Sequence, residues 1–214
     1  MPAFRYATFI SYRHGQGRIK QRFVEEFNRA LSDELELLRN EKVYVDMTRL
    51  QGGDFYNDAL ARALYESATL VLVYQPNYFD VTHPYCAREY RAMCALEQER
   101  LSHVPDTGER EHGLVIPIIL RGASGLPAEL INHRQYEDFS RFMLMDDEIS
   151  RHPMYSPRIR AIAEYIHGRC QCLDGAGVPF DSVDGFNLPD DDETREWIQH
   201  LHLPRLGFPG MSEI

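Results

Sequence analysis

Glu89 is the residue whose placement best suits chemistry. It follows Leu70-Val-Leu-Val-Tyr74, an unbroken apolar run of the length of a buried strand. Beyond that run the period changes. Tyr85, Glu89 and Met93 recur at i, i+4 and i+8, and Cys86, Tyr90, Met93 and Cys94 form the adjoining apolar stripe of a helix. Pro84 suits the first turn of that helix, where a missing N–H costs little. Glu89 therefore stands one turn into the helix, at the border of its buried face, after a loop holding Tyr78, Phe79 and His83. A carboxylate so placed can stabilise positive charge that develops on a ligand. It also reads, more plainly, as a partly solvated helix residue.

The elements that must position it alternate along the chain. Tyr6–Ile10 reads as a short buried strand, and Ser11–Arg18 as a polar loop with glycines. A helix of about five turns follows, with Ile19, Phe23, Phe27, Ala30 and Leu31 on one face. Lys42–Asp46 is a second strand. Met47–Gly53 is a loop, and Asp54 is a candidate cap for a helix carrying Phe55, Ala59, Leu60, Ala63 and Leu64. Leu114–Leu120 is a fourth strand, in which Pro117 predicts a bulge or an exposed edge. Glu97–Gly113 reads as a charged surface connection. Gln135–Phe139 reads as a short fifth strand at an edge, and Ser156-Pro157 as the cap and first residue of a long helix with Ile159, Ile162, Ala163 and Ile166 inward.

Strands that alternate with helices imply an α/β fold: a parallel sheet covered on both faces. Five strands suggest the flavodoxin-like order 2-1-3-4-5. Ligands of such sheets bind at the carboxyl ends of the strands, near the switch in strand order. Ser11–Gly17, Asp46–Gly53, Tyr74–Glu89 and the segment from Arg121 all arrive there. The chain divides into a domain over 1–172 and an extension over 173–214. In the extension, Asp190–Glu193 opens a short helix with Trp197, Ile198 and Leu201 on its apolar side. Leu203–Ile214 reads as extended or frayed.

Composition sets the outer limits. The 214 residues carry a formal net charge of −10, which argues against direct binding of nucleic acid. No apolar run has bilayer length and no signal peptide opens the sequence, so a cytoplasmic protein with no membrane contact is expected. The four cysteines are expected as thiols. His167-x-x-Cys170-x-Cys172 is a loose cluster without a fourth ligand, so no metal is expected. Gly15-x-Gly17 is no dinucleotide fingerprint, since Lys20 stands at the third glycine's place. No Gly-x-Ser-x-Gly elbow occurs, and the acids that a phosphate-accepting receiver domain needs after its first strand are replaced by Ser11-Tyr-Arg13.

Several motifs in order give the sequence a resemblance to the Toll/interleukin-1 receptor (TIR) domain family, over roughly residues 4–170. Phe9-Ile-Ser-Tyr12 resembles the family's first box. Asp46-x-x-x-Leu50-x-Gly52-Gly53 resembles its second box and the loop after the second strand. Leu60-x-x-Ala63-x-x-x-Ser67 with Leu70–Tyr74 fits its second helix and third strand. Tyr85-Cys86-x-x-Glu89 matches the aromatic-Cys-x-x-Glu pattern of the family's enzymatic branch. Met-Thr-Arg-Leu-Gln-Gly-Gly departs from the Arg-Asp-x-x-Pro-Gly loop of receptor domains, which bears on receptor-type contacts and not on catalysis.

The resemblance implies cleavage of NAD+ at the nicotinamide–ribose bond, in the bacterial branch that serves antiphage defence. NAD+ is then substrate, with no further cofactor. Glu89 falls at the family's catalytic glutamate, and Tyr85, where tryptophan is common, could stack on a substrate ring. Ser11, Tyr12 and Arg13 would hold ribose or phosphate, Arg13 suiting pyrophosphate as a fork of donors. Asp46 and Gly53 would shape the loop wall. Each has a plainer reading beside it: Ser11 a loop cap, Tyr12 packing, Arg13 a solvated loop residue, Asp46 a turn former. The family also implies homo-oligomers through TIR–TIR contacts and a partner defence protein. Its other working mode, a non-catalytic assembly module, is the alternative.

Overall fold

The computed structural model describes residues 4–15, 17–46, 54–106, 108–131, 134–142, 149–179, 183 and 185–201. The elements, in order, are β1 (Tyr6–Tyr12), α1 (Arg18–Glu36), β2 (Lys42–Val45), α2 (Asp54–Tyr65), β3 (Ser67–Tyr74) and α3 (Tyr85–His103), followed by β4 (Val115–Ile119), α4 (Ala128–Ile131), β5 (Glu137–Asp138), α5 (Tyr155–Gly175) and α6 (Asp191–His200). The sheet has the order β2-β1-β3-β4-β5, and every pair is parallel. This is the flavodoxin-like arrangement that alternating strands and helices predict.

The central strand β3 explains its own sequence. Every residue of Ser67–Tyr74 is buried. Val71 and Val73 join a core with Phe23, Phe27 and Leu31 of α1 and Ile159, Ile162 and Ile166 of α5. Leu70, Leu72 and Tyr74 point the other way, into a core with Leu60 and Leu64 of α2 and Tyr90, Met93 and Leu96 of α3. A strand covered on both faces has no polar side to display, so it reads as a continuous apolar run rather than an alternation.

Pro117 accounts for how the sheet ends. Leu70 N donates to Leu114 O and Leu120 N to Tyr74 O, so alternate residues of β4 bond to β3. That phase turns the nitrogen of Pro117 to the β5 side, where it has no hydrogen to give. β5 pairs only with Ile118 and Ile119. It is therefore shorter than the expected Gln135–Phe139 strand, while the register with β3 runs through Leu72 and Pro117 without a bulge.

α3 is held to the sheet at two points besides its apolar face. Arg100, 4% exposed, gives Nη2 to Tyr65 O at 2.6 Å and Nη1 to Ser67 O at 2.7 Å, with its guanidinium 4.8 Å from the Phe4 ring. Glu97 accepts from Leu114 N and from Val115 N and pairs with Arg134 at 2.7 Å. Glu97 is thus a helix residue that bonds the start of β4, not the beginning of a surface connection as its charge suggested. Two helix starts also differ from expectation. Pro84 is the residue before α3, its carbonyl accepting from Arg88 N. α5 begins at Tyr155 after Met154, with Pro157 third, still among the N–H positions that a helix leaves unbonded. α2 begins at Asp54. The expected loop Met47–Gly53 and the expected extended segment Leu203–Ile214 lie outside the described residues.

α5 runs past 172 to Gly175. α6 then returns to pack on α3 and the Phe79–Tyr90 cluster, with Ile198 and Leu201 buried. Among the described residues, no helix is long and apolar enough to cross a membrane.

Candidate functional site

β1 ends at the carboxyl edge of the sheet, and the pleat sorts its last residues. Ile10 and Tyr12 belong to the α1/α5 face and Phe9 to the α2/α3 face; Ser11, two residues on from Phe9, shares its face. α3 presents Glu89 to that same face. Ser11 Oγ donates to Glu89 Oε2 and lies 2.6 Å from the Tyr78 hydroxyl. A serine has one hydrogen to give. While Ser11 donates to Glu89, the Tyr78 phenol must donate to Ser11, so the three groups form a directed chain ending on the carboxyl.

This carboxyl is deeply placed. Glu89 is 7% exposed, Ser11 1% and Tyr78 0%. Among the described residues no cation forms an ion pair with Glu89. Loss of water disfavours the ionised form. Burial raises the Glu89 pKa to about 8; the Ser11 hydrogen bond and the charge of Arg88 oppose the rise, and Asp46 adds to it. The same burial drives the Tyr78 phenol and the Cys86 thiol well above their usual values. A carboxyl raised in this way, without a structural ion pair, marks a candidate functional group.

The other expected residues are distributed around it. Arg13 Nη2 donates to Asp80 Oδ2 at 3.0 Å, and its Nε is buried with no hydrogen-bond partner among the described residues. Asp80 also accepts from Thr82. Tyr12 turns to the opposite face, stacks on His14 at 4.4 Å and donates to Asp46 O at 2.9 Å. It does not join Ser11 beside Glu89. The Asp46 carboxylate lies 3.8 Å from His14 Nε2. Tyr85 is half-buried, one helical turn before Glu89. Gly53 lies outside the described residues.

Two residues near the cluster are passed over by sequence reasoning. Tyr78 carries no motif, and only the fold brings it to Ser11. Lys20 sits over the loop after β1: a Cβ on Gly15 would come within 2.8 Å of Lys20 Nζ. Burial and the nearby Arg13 lower the Lys20 pKa. Arg13 and Lys20 together make this loop locally basic in an acidic protein.

All four cysteines are free, and among the described residues no group of three or more His, Cys, Asp or Glu side chains is placed to hold a metal. A cavity of about 520 Å³ between β4, α5 and residues 134–137 is lined by His112, Val115, Arg134 and Tyr165, and shares no residue with the Glu89 cluster.

Comparison with known proteins bears on this geometry. A family model described as TIR domain matches residues 8–151, two thirds of the chain. The chain belongs to the TIR-domain family. The match spans Ser11, Tyr78 and Glu89 and stops before α5 and α6. Among solved structures, the TIR domain is similar to the TIR domains of the activated Roq1 resistosome directly recognizing the pathogen effector XopQ. The identity is 17% and the TM-score 0.33, over 90% of this chain and 96% of that one. No curated protein matches this TIR domain.

Proposed function

We propose that this TIR domain cleaves NAD+ between nicotinamide and ribose, with Glu89 as the group that faces the reacting sugar. One observation carries the reading: a buried carboxyl at the carboxyl edge of the sheet that accepts from the Ser11 hydroxyl and, among the described residues, pairs with no cation.

The bond breaks with an oxocarbenium-like ribose, as in glycoside hydrolysis. The electron pair of the C–N bond leaves with nicotinamide, which departs neutral because its ring nitrogen was cationic. No strong acid is needed for that departure, so a single carboxylate suffices. Its charge stabilises the sugar cation more than it stabilises the bound substrate, which is what accelerates the step. Water at C1′ then gives ADP-ribose and a proton; attack by a nitrogen of the adenine gives a cyclic isomer.

Glu89 must be ionised to act so, yet burial holds its pKa at about 8 in the free protein. The positive nicotinamide ring resolves the conflict, because an opposite charge beside a carboxyl favours the ionised form. Binding NAD+ therefore releases a proton. Arg13 and Lys20 offer the pyrophosphate its counter-charge, Tyr85 stacks on a substrate ring, and Asp46 bounds the loop side. TIR–TIR contacts complete the active assembly, and a bacterial antiphage response, as effector or second-messenger source, is the setting proposed. Mass spectrometry of NAD+ incubated with the protein tests the reading. Nicotinamide with ADP-ribose or its cyclic isomer supports it; intact NAD+ at every protein concentration refutes it.

The burial of Glu89 also favours a second reading, in which the carboxyl stays protonated and merely packs against Ser11. The TIR domain would then be an assembly module without chemistry. Concentration-dependent oligomers that bind no NAD+ distinguish this case.

A further inference from the structure

Helix α6, which the family match does not include, lies across the helix that carries Glu89. Its acidic start meets two arginines of α3. Arg88 Nη1 is 2.9 Å from Asp191 Oδ1, and Arg88 Nε donates to Pro189 O at 2.6 Å. Arg91 Nη2 is 2.5 Å from Glu193 Oε1. Asp190 caps the helix by accepting from Asp192 N at 2.8 Å, as its sequence position suggests. On the other side Thr194 and Ile198 are buried.

Between these ties Trp197 reaches the loop after β3. Its ring stands edge-on to Phe79 at 5.6 Å and tilted to Tyr90 at 5.9 Å. Phe79 in turn stands edge-on to Tyr78 at 4.9 Å. Tyr78 is the phenol hydrogen-bonded to Ser11, and Ser11 is the donor to Glu89. A continuous line of contacts thus runs from α6 to the carboxyl. Aromatic pairs at these separations prefer particular mutual orientations, so Trp197 constrains how Phe79 lies, and Phe79 constrains Tyr78.

We propose that Trp197 is a positioning residue for Glu89, holding Phe79 against Tyr78 so that the phenol keeps Ser11 on the carboxyl. The residue touches no reacting atom. The contacts stand independently of what the site does; the consequence for turnover rests on the NAD+ reading. An α6 that only stabilised the domain would need apolar volume at 197 and no particular ring. An α6 that positions the site needs an aromatic edge there.

The test compares Trp197→Ala and Trp197→Phe in the full chain, with glutamates labelled at the side-chain carboxyl with ¹³C. The Glu89 resonance is identified by its loss in Glu89→Gln. At fixed pH we expect it to move in Trp197→Ala and to return toward its wild-type position in Trp197→Phe. With NAD+, kcat of Trp197→Ala falls roughly ten- to hundredfold at a nearly unchanged KM, the scale of a small misplacement of a reacting group, and Trp197→Phe restores most of it. A Glu89 resonance that stays at its wild-type position in folded Trp197→Ala overturns the inference. Should that variant not fold, the same reading is taken from Asp191→Asn combined with Glu193→Gln, which loosens α6 without opening the core. The resonance decides the matter even if the wild-type protein leaves NAD+ intact, so failure here and failure of the NAD+ reading are separate results.

Discussion

Ser11 and Glu89 stand 78 positions apart in sequence, and a buried hydrogen bond joins them at the carboxyl edge of the sheet. Because that bond favours the ionised carboxyl, Ser11 works against burial. Ser11→Ala removes the donor and leaves the Tyr78 hydroxyl facing a methyl group. The Glu89 pKa then rises further. We expect kcat/KM for NAD+ at pH 7 to fall roughly ten- to hundredfold, the span of one hydrogen bond to a charged group. The rising limb of its pH profile moves to higher pH. A profile superimposable on wild type would contradict this.

The wild-type profile has a definite shape of its own. kcat/KM reports ionisations of the free enzyme, and in the proposed NAD+ cleavage the reactive form of Glu89 is the carboxylate. We therefore expect activity to be full above about pH 8 and to be lost as pH falls through that value, about tenfold per unit. Initial rates at low NAD+ across pH 6–9.5 check it.

Stability runs the opposite way. Between an ordinary carboxyl value of 4.5 and about 8, the folded protein keeps the Glu89 proton while the unfolded chain has lost it. The unfolded state then binds fewer protons, so stability falls as pH rises through this window, by about 1.4 kcal/mol per unit from this group. Glu89→Gln removes the titration. It should raise Tm relative to wild type at pH 8 by several degrees, at about 2–4 °C per kcal/mol for a chain of this size, and much less at pH 5. Thermal unfolding of both proteins at the two pH values measures the difference.

Glu97 and Arg134 are about nine-tenths buried and bonded at two points, 2.7 and 2.9 Å. Burial works against the Arg134 charge, and Glu97 holds its pKa above the ordinary value. Glu97→Gln leaves that charge without its partner and weakens the acceptor for Leu114 and Val115. A loss of about 3–5 kcal/mol is expected, read by urea unfolding, with the m-value unchanged.

Arg13 separates binding from chemistry. It contacts Asp80 and not Glu89, so Arg13→Ala should raise KM for NAD+ roughly tenfold with kcat nearly kept, the pattern of uniform binding lost. Steady-state kinetics at saturating and limiting NAD+ show the split.

Much of this was readable in the residues, for physical reasons. Leu70–Tyr74 announces a strand covered on both faces, the alternation of strand and helix announces a parallel sheet, and the count of five strands suggests its order. The Tyr85–Glu89–Met93 spacing places the carboxyl on the edge of a buried helix face. Ser11, Tyr12 and Arg13 look like one group along the chain, but the period of two along β1 separates them, and the pleat sends Tyr12 to the other side. Tyr78 was not readable as a partner of Ser11. Nothing local marks it, and its contact exists only once β1, β3 and α3 have been assembled. Glu97 is illegible for the same reason: its charge suggests surface, while Arg134, 37 positions on, is the partner that lets it be buried.

The most direct measurement is nicotinamide release from NAD+ by the purified chain and by Glu89→Gln, at pH 8.5 and at protein concentrations high enough for TIR–TIR contacts. A catalytic Glu89 requires steady release by the wild type and at least a hundredfold less by the variant, on the order expected when an electrostatic stabiliser of the transition state is removed. Equal release by both would contradict it.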